Sequence, residues 1–181
     1  LAQTGQAEGQ LVRQNRAWQS IRLMRPGRPT WVEVDLGAIG ANMREIARSV
    51  GPDVRIMAVL KADGYGHGAV RVARTAINHG AGYLGVACIG EALELQAAGI
   101  RTPILVLGYT PAWQARELVL ANISATVFTL DVARALSRAT QELNRPVTVH
   151  VKVDTGMGRL GLLPDEVVSF VEALRTLPGL H

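Results

Sequence analysis

Two lysines are the side chains best suited to chemistry in this sequence. Lys61 and Lys152 are its only lysines, because every other one of its 19 Lys and Arg residues is an arginine. An amine can act as a nucleophile, whereas a guanidinium stays protonated, so a lysine that persists among arginines indicates that an amine is required there. Each lysine lies at the end of an apolar segment that is typical of a buried strand.

The segment before Lys61 predicts the direction of its amine. Alternate positions of the predicted strand 55–60 form one wholly apolar side, which consists of Ile56, Ala58 and Leu60. We expect that side to face helices and Lys61 to point to the opposite side. The amine would then lie at the carboxyl end of its strand, where parallel α/β folds bind their ligands.

The segment around Lys152 repeats the pattern. Valines occupy one side of the predicted strand 147–153, and the polar residues of the other side are Thr148, His150, Lys152 and Asp154. Polar side chains that point together into an interior are costly unless they are hydrogen-bonded or meet a polar ligand. A buried ion pair between Lys152 and Asp154 and a ligand site both stay open, and Arg159 can reach back over this strand end.

A glycine-spaced segment follows Lys61 and leads into a predicted helix over 69–78. Glycine at positions 64, 66 and 68 lets the backbone approach a ligand, and the helix start offers amide N–H groups to an anion. Tyr65 adds a phenol within reach of the lysine. The segment lacks the ending of a P-loop and the spacing of a dinucleotide fingerprint, so a tight turn and a phosphate cradle both remain open.

Other common chemistries lack their residues. The four histidines have no spacing typical of metal ligands, so we predict no metal site. The sequence has no Gly-x-Ser-x-Gly elbow, and Cys88 has no neighbouring base and is expected to be a core residue. Hydrolysis by an activated serine or cysteine is therefore unsupported.

An alternation of strand-like and helix-like segments must position these residues. Predicted strands cover 55–60, 83–87, 103–107, 123–128 and 147–153, and predicted helices cover 69–78, 90–98, 111–120, 131–143 and 164–177. A half-exposed strand over 31–36 and a helix over 36–50 precede them. This order predicts an α/β fold with a parallel sheet. Both an open doubly wound sheet and an incomplete (β/α)8 barrel of about five units fit the rhythm.

Composition and charge exclude several classes of protein. With 48% hydrophobic and 19% charged residues the chain is globular, and no apolar run approaches the roughly 18 residues of a membrane span. The net charge of +4 lies within residues 1–30, which argues against a nucleic-acid groove on the folded body. We predict a mobile arm or linker over 1–28, a folded body over 29–181 and, from the single cysteine, a reducing compartment.

At the glycine-spaced segment the sequence resembles a known family. Residues 61–68, KADGYGHG, resemble the pyridoxal-phosphate lysine motif of alanine racemases, residues 151–161 resemble a second segment of that family, and residues 31–36 resemble its opening strand. The similarity runs over about 29–181. It implies the N-terminal part of a TIM-barrel-type domain, which a mostly β domain normally follows.

The resemblance also implies roles for individual residues. Lys61 would form the Schiff base with pyridoxal 5'-phosphate and move the substrate α-proton on one face. Tyr65 would hydrogen-bond the cofactor phosphate. Arg159 would bond the phenolate oxygen of the cofactor ring and contact the substrate, and Val59 and Leu107 would line the ring site.

By the same resemblance Lys152 matches a lysine that is carbamylated in several family members. A carbamate would make its charge negative and let it hold Arg159, which the unmodified amine would repel. The tyrosine that acts as the opposite-face base belongs, in the family, to a later segment of a second subunit. The resemblance thus implies a cytoplasmic, homodimeric racemase that supplies D-alanine for peptidoglycan, with negligible activity in this chain alone.

Two other functions remain open. Single-domain barrels that resemble these racemases bind pyridoxal phosphate without an established reaction, so a non-catalytic cofactor carrier is the first alternative. A regulatory or interaction fragment, whose basic arm contacts a partner, is the second. For the racemase we expect a small amino acid, alanine, as substrate, and neither a nucleic acid nor a membrane as partner.

Overall fold

The structure, a computed structural model, describes residues 31–181, which leaves the predicted arm over 1–28 outside the described part. The strands are β1 (Ile56–Val59), β2 (Ala81–Val86), β3 (Ile104–Val106), β4 (Ser124–Val127) and β5 (Val149–Val151). The α-helices are α1 (Leu36–Val50), α2 (Ala69–Asn78), α3 (Ile89–Ala97), α4 (Ala115–Leu120), α5 (Leu130–Leu143) and α6 (Val167–Arg175). Short 3-10 turns at Ala112–Gln114 and Pro164–Glu166 lead into α4 and α6. No helix within residues 31–181 has the length and apolar character to cross a membrane.

The strand order decides between the two predicted architectures. Neighbouring strands are all parallel, and their order in the sheet, β1-β2-β3-β4-β5, is the order of the chain. A doubly wound sheet reverses its order part-way, so that helices cover both faces. A sheet in chain order with right-handed crossovers carries its helices on one face, as the wall of a barrel does. The fold is therefore a partial TIM-barrel-type α/β domain, and a doubly wound sheet is excluded.

The core lies between the sheet and its helices. Strand side chains such as Leu84 and Val106 are fully buried and belong to one cluster with helix residues such as Leu136. At the edge strand β1 the other face is more open, since Val59 is 39% exposed while its neighbour Leu60 is 2% exposed. This one-sided burial matches the alternation that the sequence predicts for the segment before Lys61.

Helix α1 begins within the segment that was predicted to be a first strand. Asp35 caps the helix, because its Oδ1 accepts a hydrogen bond from the Ala38 amide (3.0 Å). The predicted strand over 31–36 is wrong, since residues 31–34 form no strand and Leu36 is already helical. A strand requires a neighbouring strand to satisfy its amides and carbonyls, and the five-stranded sheet of the described residues does not include residues 31–34.

The edge of β5 carries a further extended segment, which the sequence analysis does not predict. The Val147 amide donates to the Gly179 carbonyl (2.9 Å), the His181 amide donates to the Val147 carbonyl (3.0 Å), and the Val149 amide donates to the His181 carbonyl (2.8 Å). Val147 and Leu180 form a parallel bridge. Residues 179–181 thus continue the sheet beyond β5 in the same direction.

Candidate active site

Lys61 lies two residues beyond the end of β1. The amide of the preceding Leu60 donates a hydrogen bond to the Gly85 carbonyl of β2 (2.7 Å). Lys61 itself is half-buried, and its Nζ lies 5.8 Å from the centroid of the Tyr65 ring. The structure therefore places the amine at the strand end and beside the phenol that the sequence singles out.

The segment after Lys61 is a left-handed helical turn rather than an open glycine loop. Ala62, Asp63, Gly64 and Tyr65 have φ between 54° and 62° and ψ between 39° and 51°, the values of a left-handed helix. Three of these residues carry a Cβ, for which the conformation costs roughly 1–2 kcal/mol per residue. Such a run persists only where other contacts hold it, and backbone strain of this kind clusters at functional sites.

Hydrogen bonds within the segment hold the turn and its exit into α2. Asp63 Oδ1 accepts a bond from the Ala69 amide (2.7 Å). His67 Nδ1 lies 3.0 Å from the carbonyl oxygens of Gly64 and Tyr65, and because both oxygens can only accept, the ring donates from Nδ1. The Ala69 amide is one of the helix-start donors that the sequence offered to an anion, and Asp63 already occupies it.

Glu91 ties this turn to the neighbouring strand, a role that sequence reasoning misses. Its Oε1 accepts a bond from the Ala62 amide and its Oε2 accepts one from the Ala87 amide, both at 2.7 Å. Glu91 is the third residue of α3. An acidic side chain in the first turn of a helix commonly interacts favourably with the helix dipole. Its type and position therefore indicate a helix start and nothing more, because Ala62 lies 29 positions away in the chain.

The strands beside Lys61 provide an apolar floor. Val59 pairs in register with Gly85, and a Cβ on Gly85 would lie 3.0 Å from Leu107 Cδ1 and 3.1 Å from Met57 Sδ. Leu107 and Met57 therefore meet over Gly85, and a side chain at that position would crowd both of them. Because Gly85 has no side chain, the surface of the sheet at this position is flat and apolar, and a planar ring could pack on it.

The second lysine follows β5, at the opposite end of the sheet. Lys152 is exposed, and its carbonyl accepts a bond from the Leu162 amide (2.9 Å). Within residues 31–181 one ion pair is present, and it joins Arg48 to Glu45 on α1. The alternative of a buried ion pair between Lys152 and Asp154 is therefore not realised among these residues.

Asp154 instead organises the turn that follows β5. Its Oδ1 accepts bonds from the Gly158 and Gly156 amides, each at 3.0 Å. These two amides, Gly158 first, hold the pKa of Asp154 below its ordinary value. Arg159 follows the turn as an exposed side chain. The turn is a local structure that needs no residue from another strand.

The structure brings only some of the predicted site residues together. One group lies on β1 to β3 and their connections and consists of Lys61, Tyr65, Val59 and Leu107. The other group, Lys152 and Arg159, belongs to β5 and its turn at the far end of the strand order. Among the described residues no side-chain hydrogen bond or ion pair joins the two groups.

Comparison with known proteins connects this geometry to a family. The family model described as "Alanine racemase, N-terminal domain" matches residues 34–181. The chain belongs to the alanine racemase family. Its similarity to an alanine racemase of Desulfovibrio desulfuricans amounts to 49% identity over 154 residues, which cover 85% of this chain and 42% of that protein. The resemblance found in residues 61–68 and 151–161 is thereby confirmed, and the chain spans less than half the length of such relatives.

Solved structures of the family share the fold. The alanine racemase of Clostridium difficile 630 is similar with a TM-score of 0.81 and 37% identity, over 87% of this chain and 41% of that one. The enzyme from Bacillus anthracis, solved with bound L-Ala-P, gives a TM-score of 0.79 and 37% identity over the same shares, 87% and 41%. The prediction of an incomplete TIM-barrel-type domain is confirmed.

Cys88 and a polar hollow are two further features of the described residues. Cys88 is exposed directly before α3, so the prediction of a core cysteine is wrong, because β2 and its helix-facing side chains end at Val86. A hollow of about 770 Å³ opens at the amino-terminal ends of the strands, among polar residues such as Arg55, Ser124 and His150. It contains neither lysine.

Within residues 31–181 no group of three or more His, Cys, Asp or Glu residues is placed to hold a metal ion.

Proposed function

We propose that this chain forms the cofactor-bearing part of a pyridoxal-5'-phosphate-dependent racemase that interconverts L-alanine and D-alanine. The observation that carries the proposal is the half-buried Lys61 just beyond β1, whose Nζ lies 5.8 Å from the centroid of the Tyr65 ring. The preceding Leu60 amide bonds to the carbonyl of Gly85 on the neighbouring strand. Membership of the alanine racemase family supports the reaction. The L-Ala-P bound to the Bacillus anthracis relative supports an alanine-sized ligand.

The side chains at this end of the sheet have the chemical types that pyridoxal phosphate would need. An aldehyde requires a primary amine, a pyridine ring requires an apolar surface, and a phosphate requires hydrogen-bond donors. Lys61 offers the amine, Val59 and Leu107 offer the apolar surface, and Tyr65 offers an exposed phenol. When bound, pyridoxal phosphate would supply an electron sink for the carbanion that forms as the α-proton leaves.

Lys61 would carry the chemistry on one face of the substrate. Its Nζ would hold the cofactor covalently and, when released, would move a proton to or from the α-carbon of alanine. Attack on the cofactor aldehyde and removal of the α-proton require the neutral amine, whereas return of a proton to the α-carbon requires the protonated amine. Lys61 is half-buried, and the left-handed turn begins at the next residue of the backbone.

Three other residues would complete the cofactor and substrate contacts of this chain. The Tyr65 phenol would donate to the phosphate, and the Arg159 guanidinium would donate to the phenolate oxygen of the ring and contact the substrate. Lys152 is exposed beyond β5 and therefore accessible to carbon dioxide. As a carbamate it would be negative and would hold Arg159 in place.

At the level of the whole protein we propose a homodimer in the cytoplasm that supplies D-alanine for peptidoglycan. In the family the opposite-face base is a tyrosine from another segment of a second subunit. We therefore expect the 181-residue chain by itself to racemise alanine negligibly. Chiral chromatography of alanine incubated with the purified chain and cofactor measures this, and steady turnover would contradict the expectation.

Covalent capture tests the cofactor assignment. The chain is mixed with pyridoxal phosphate, reduced with borohydride and mapped by peptide mass spectrometry, with Lys152 as an internal control because the sequence has no third lysine. We expect modification of Lys61 in roughly tenfold or greater excess over Lys152, because a positioned amine reacts ahead of a free one. The Lys61→Arg variant should lose that signal. Equal modification of the two lysines, or none, overturns the proposal.

A further inference from the structure

Glu91 is a charged side chain that the proposed reaction does not use. It is half-buried on α3, and its two carboxylate oxygens bond to the backbones of two different strand ends. We propose that Glu91 is a positioning residue for Lys61, because it fixes the first residue of the left-handed turn and thereby the direction of the lysine side chain. The positioning of Lys61 is argued from hydrogen bonds alone. Only the role of its amine in cofactor chemistry rests on the proposed function.

The position of Glu91 follows from how the ladder between β1 and β2 ends. The last bond of the ladder joins the Leu60 amide to the Gly85 carbonyl (2.7 Å). Beyond it, the Ala62 and Ala87 amides both point to the space between the strand ends, and two donors cannot bond to each other. A carboxylate offers an acceptor to each of them, so Glu91 acts as the next rung of the ladder, at 2.7 Å on both sides.

The chemistry of this rung favours a carboxylate over an amide. A glutamine would offer one acceptor oxygen and one NH2 group, so one backbone donor would face another donor. An aspartate keeps both oxygens but is one methylene shorter, and it would not reach both amides. Bonds to an ionised acceptor are also stronger than bonds to a neutral one. Charge and length are therefore both needed at Glu91.

The tie acts on the residue next to the lysine. Ala62 is the first of four consecutive residues in the left-handed region, at φ 54°, a conformation that an alanine leaves when nothing holds it. Rotation there turns the peptide between Ala62 and Lys61 and swings the lysine side chain away from Tyr65. Glu91 thus acts on Lys61 through the backbone, since no ion pair joins them among the described residues.

The experiment uses the 181-residue chain with the substitution Glu91→Gln, and Glu94→Gln on the same helix is the matched control, since Glu94 is exposed. Without cofactor, NMR measures the contact between the Lys61 ε-methylene and the Tyr65 ring protons, and the exchange of the Ala62 and Ala87 amides. We expect Glu91→Gln to lose the Lys61–Tyr65 contact and to speed exchange of at least one of the two amides by about tenfold. Glu94→Gln should change neither.

With pyridoxal phosphate, borohydride capture provides the second readout. Glu91→Gln should lower the rate of capture at Lys61 by about fivefold or more, while capture at Lys152 stays unchanged, because only one amine loses its orientation. If amide exchange accelerates while the lysine contact and the capture rate at Lys61 stay as in the unsubstituted chain, Glu91 is merely structural and the inference is wrong.

The outcomes separate this inference from the proposed function. If the unsubstituted chain shows no covalent capture of pyridoxal phosphate at Lys61, the cofactor assignment is wrong. The Lys61–Tyr65 contact measured by NMR then still tests the positioning by Glu91. Absence of the Lys61–Tyr65 contact in the unsubstituted chain overturns the positioning whatever the cofactor does. Where Glu91→Gln does not fold, as judged by circular dichroism, Glu91→Asp is measured instead, and retention of the contact in that variant contradicts the inference.

Discussion

The two lysine-bearing strand ends are built in different ways. After β1, carboxylates of Glu91 and Asp63 hold a left-handed turn, and the bond from Glu91 to the Ala62 amide joins residues 29 positions apart. After β5, Asp154 accepts bonds from amides only two and four residues further along the chain. The first turn depends on another βα unit, and the second is held by its own residues.

This difference indicates that the two halves of the proposed site are prepared to different extents. In the proposed positioning, the strained turn after β1 would hold Lys61 in one orientation before any ligand binds, because relaxation of the backbone would break the bonds from Glu91 and Asp63. The turn after β5 leaves Lys152 and Arg159 exposed. By this proposal the Lys61 amine is preorganised, whereas Arg159 is an exposed side chain.

The largest effect is expected at Gly161, which closes the turn after β5. A Cβ there would lie 2.6 Å from the Asp154 amide nitrogen, and its φ is +126°. We expect Gly161→Ala to lower the free energy of unfolding by about 2 kcal/mol or more, because overlap with backbone adds to conformational strain. Gly156→Ala is the control, with φ +122° and open space around the Cβ. In chemical denaturation, equal losses would show that steric overlap is not the cause.

A smaller effect is expected for the internal cap of the turn after β1. Asp63→Ala removes the acceptor of the Ala69 amide and should lower the free energy of unfolding by about 1 kcal/mol, as the loss of a helix cap does. Asp53→Ala, at an exposed position before β1, should change it by less than about 0.5 kcal/mol. The prediction fails if denaturation midpoints of the two variants shift alike.

The substitution Ala62→Gly tests whether the turn after β1 is strained. Glycine relieves roughly 1–2 kcal/mol of left-handed strain, but it loses roughly 0.5–1 kcal/mol more backbone entropy on folding than alanine does. We therefore expect the free energy of unfolding to rise by up to about 1.5 kcal/mol. The exposed Ala41 lies within α1, where the backbone is right-handed. Ala41→Gly should therefore lower the free energy of unfolding by about 1 kcal/mol. Thermal unfolding compares the two, and a loss at Ala62 equal to that at Ala41 argues against strain.

The smallest effect is a pH dependence at Asp154. The folded-state pKa lies below the ordinary value of 3.8, so the carboxylate contributes stability above that value and loses the contribution as pH falls through the lowered pKa. We expect the stability difference between the unsubstituted chain and Asp154→Asn to be largest at neutral pH and to vanish in strong acid. Denaturation over a pH series measures it, and a constant difference would mean that the charge is not responsible.

Local patterns predicted most of the fold. The helices α1 and α2 have the bounds that their sequences predict, 36–50 and 69–78, because both are short-range patterns of apolar spacing and end signals. The faces of β1 also follow from alternation. The same kind of reasoning fails at 31–36, where the strand pattern is present but residues 31–34 lie outside the described sheet and Asp35 caps a helix.

The details of the site were less predictable. Ala62 and Tyr65 have no intrinsic preference for the left-handed region, so their local propensity argues against the turn that they form. Glu91 carries the sequence signature of any helix start. Its bonds to Ala62 and Ala87 exist only because β1 and β2 lie side by side.

The sequence by itself determined the alternation of strands and helices, the face of β1 that is buried, the place of Lys61 at a strand end, and the family of the chain. These properties depend on spacing over a few residues, which the order of side chains records directly. Only the tertiary structure decided the strand order, the hand of the turn after Lys61 and the bridge made by Glu91. Such features depend on hydrogen bonds between residues tens of positions apart, and these form only once the sheet has brought the segments together.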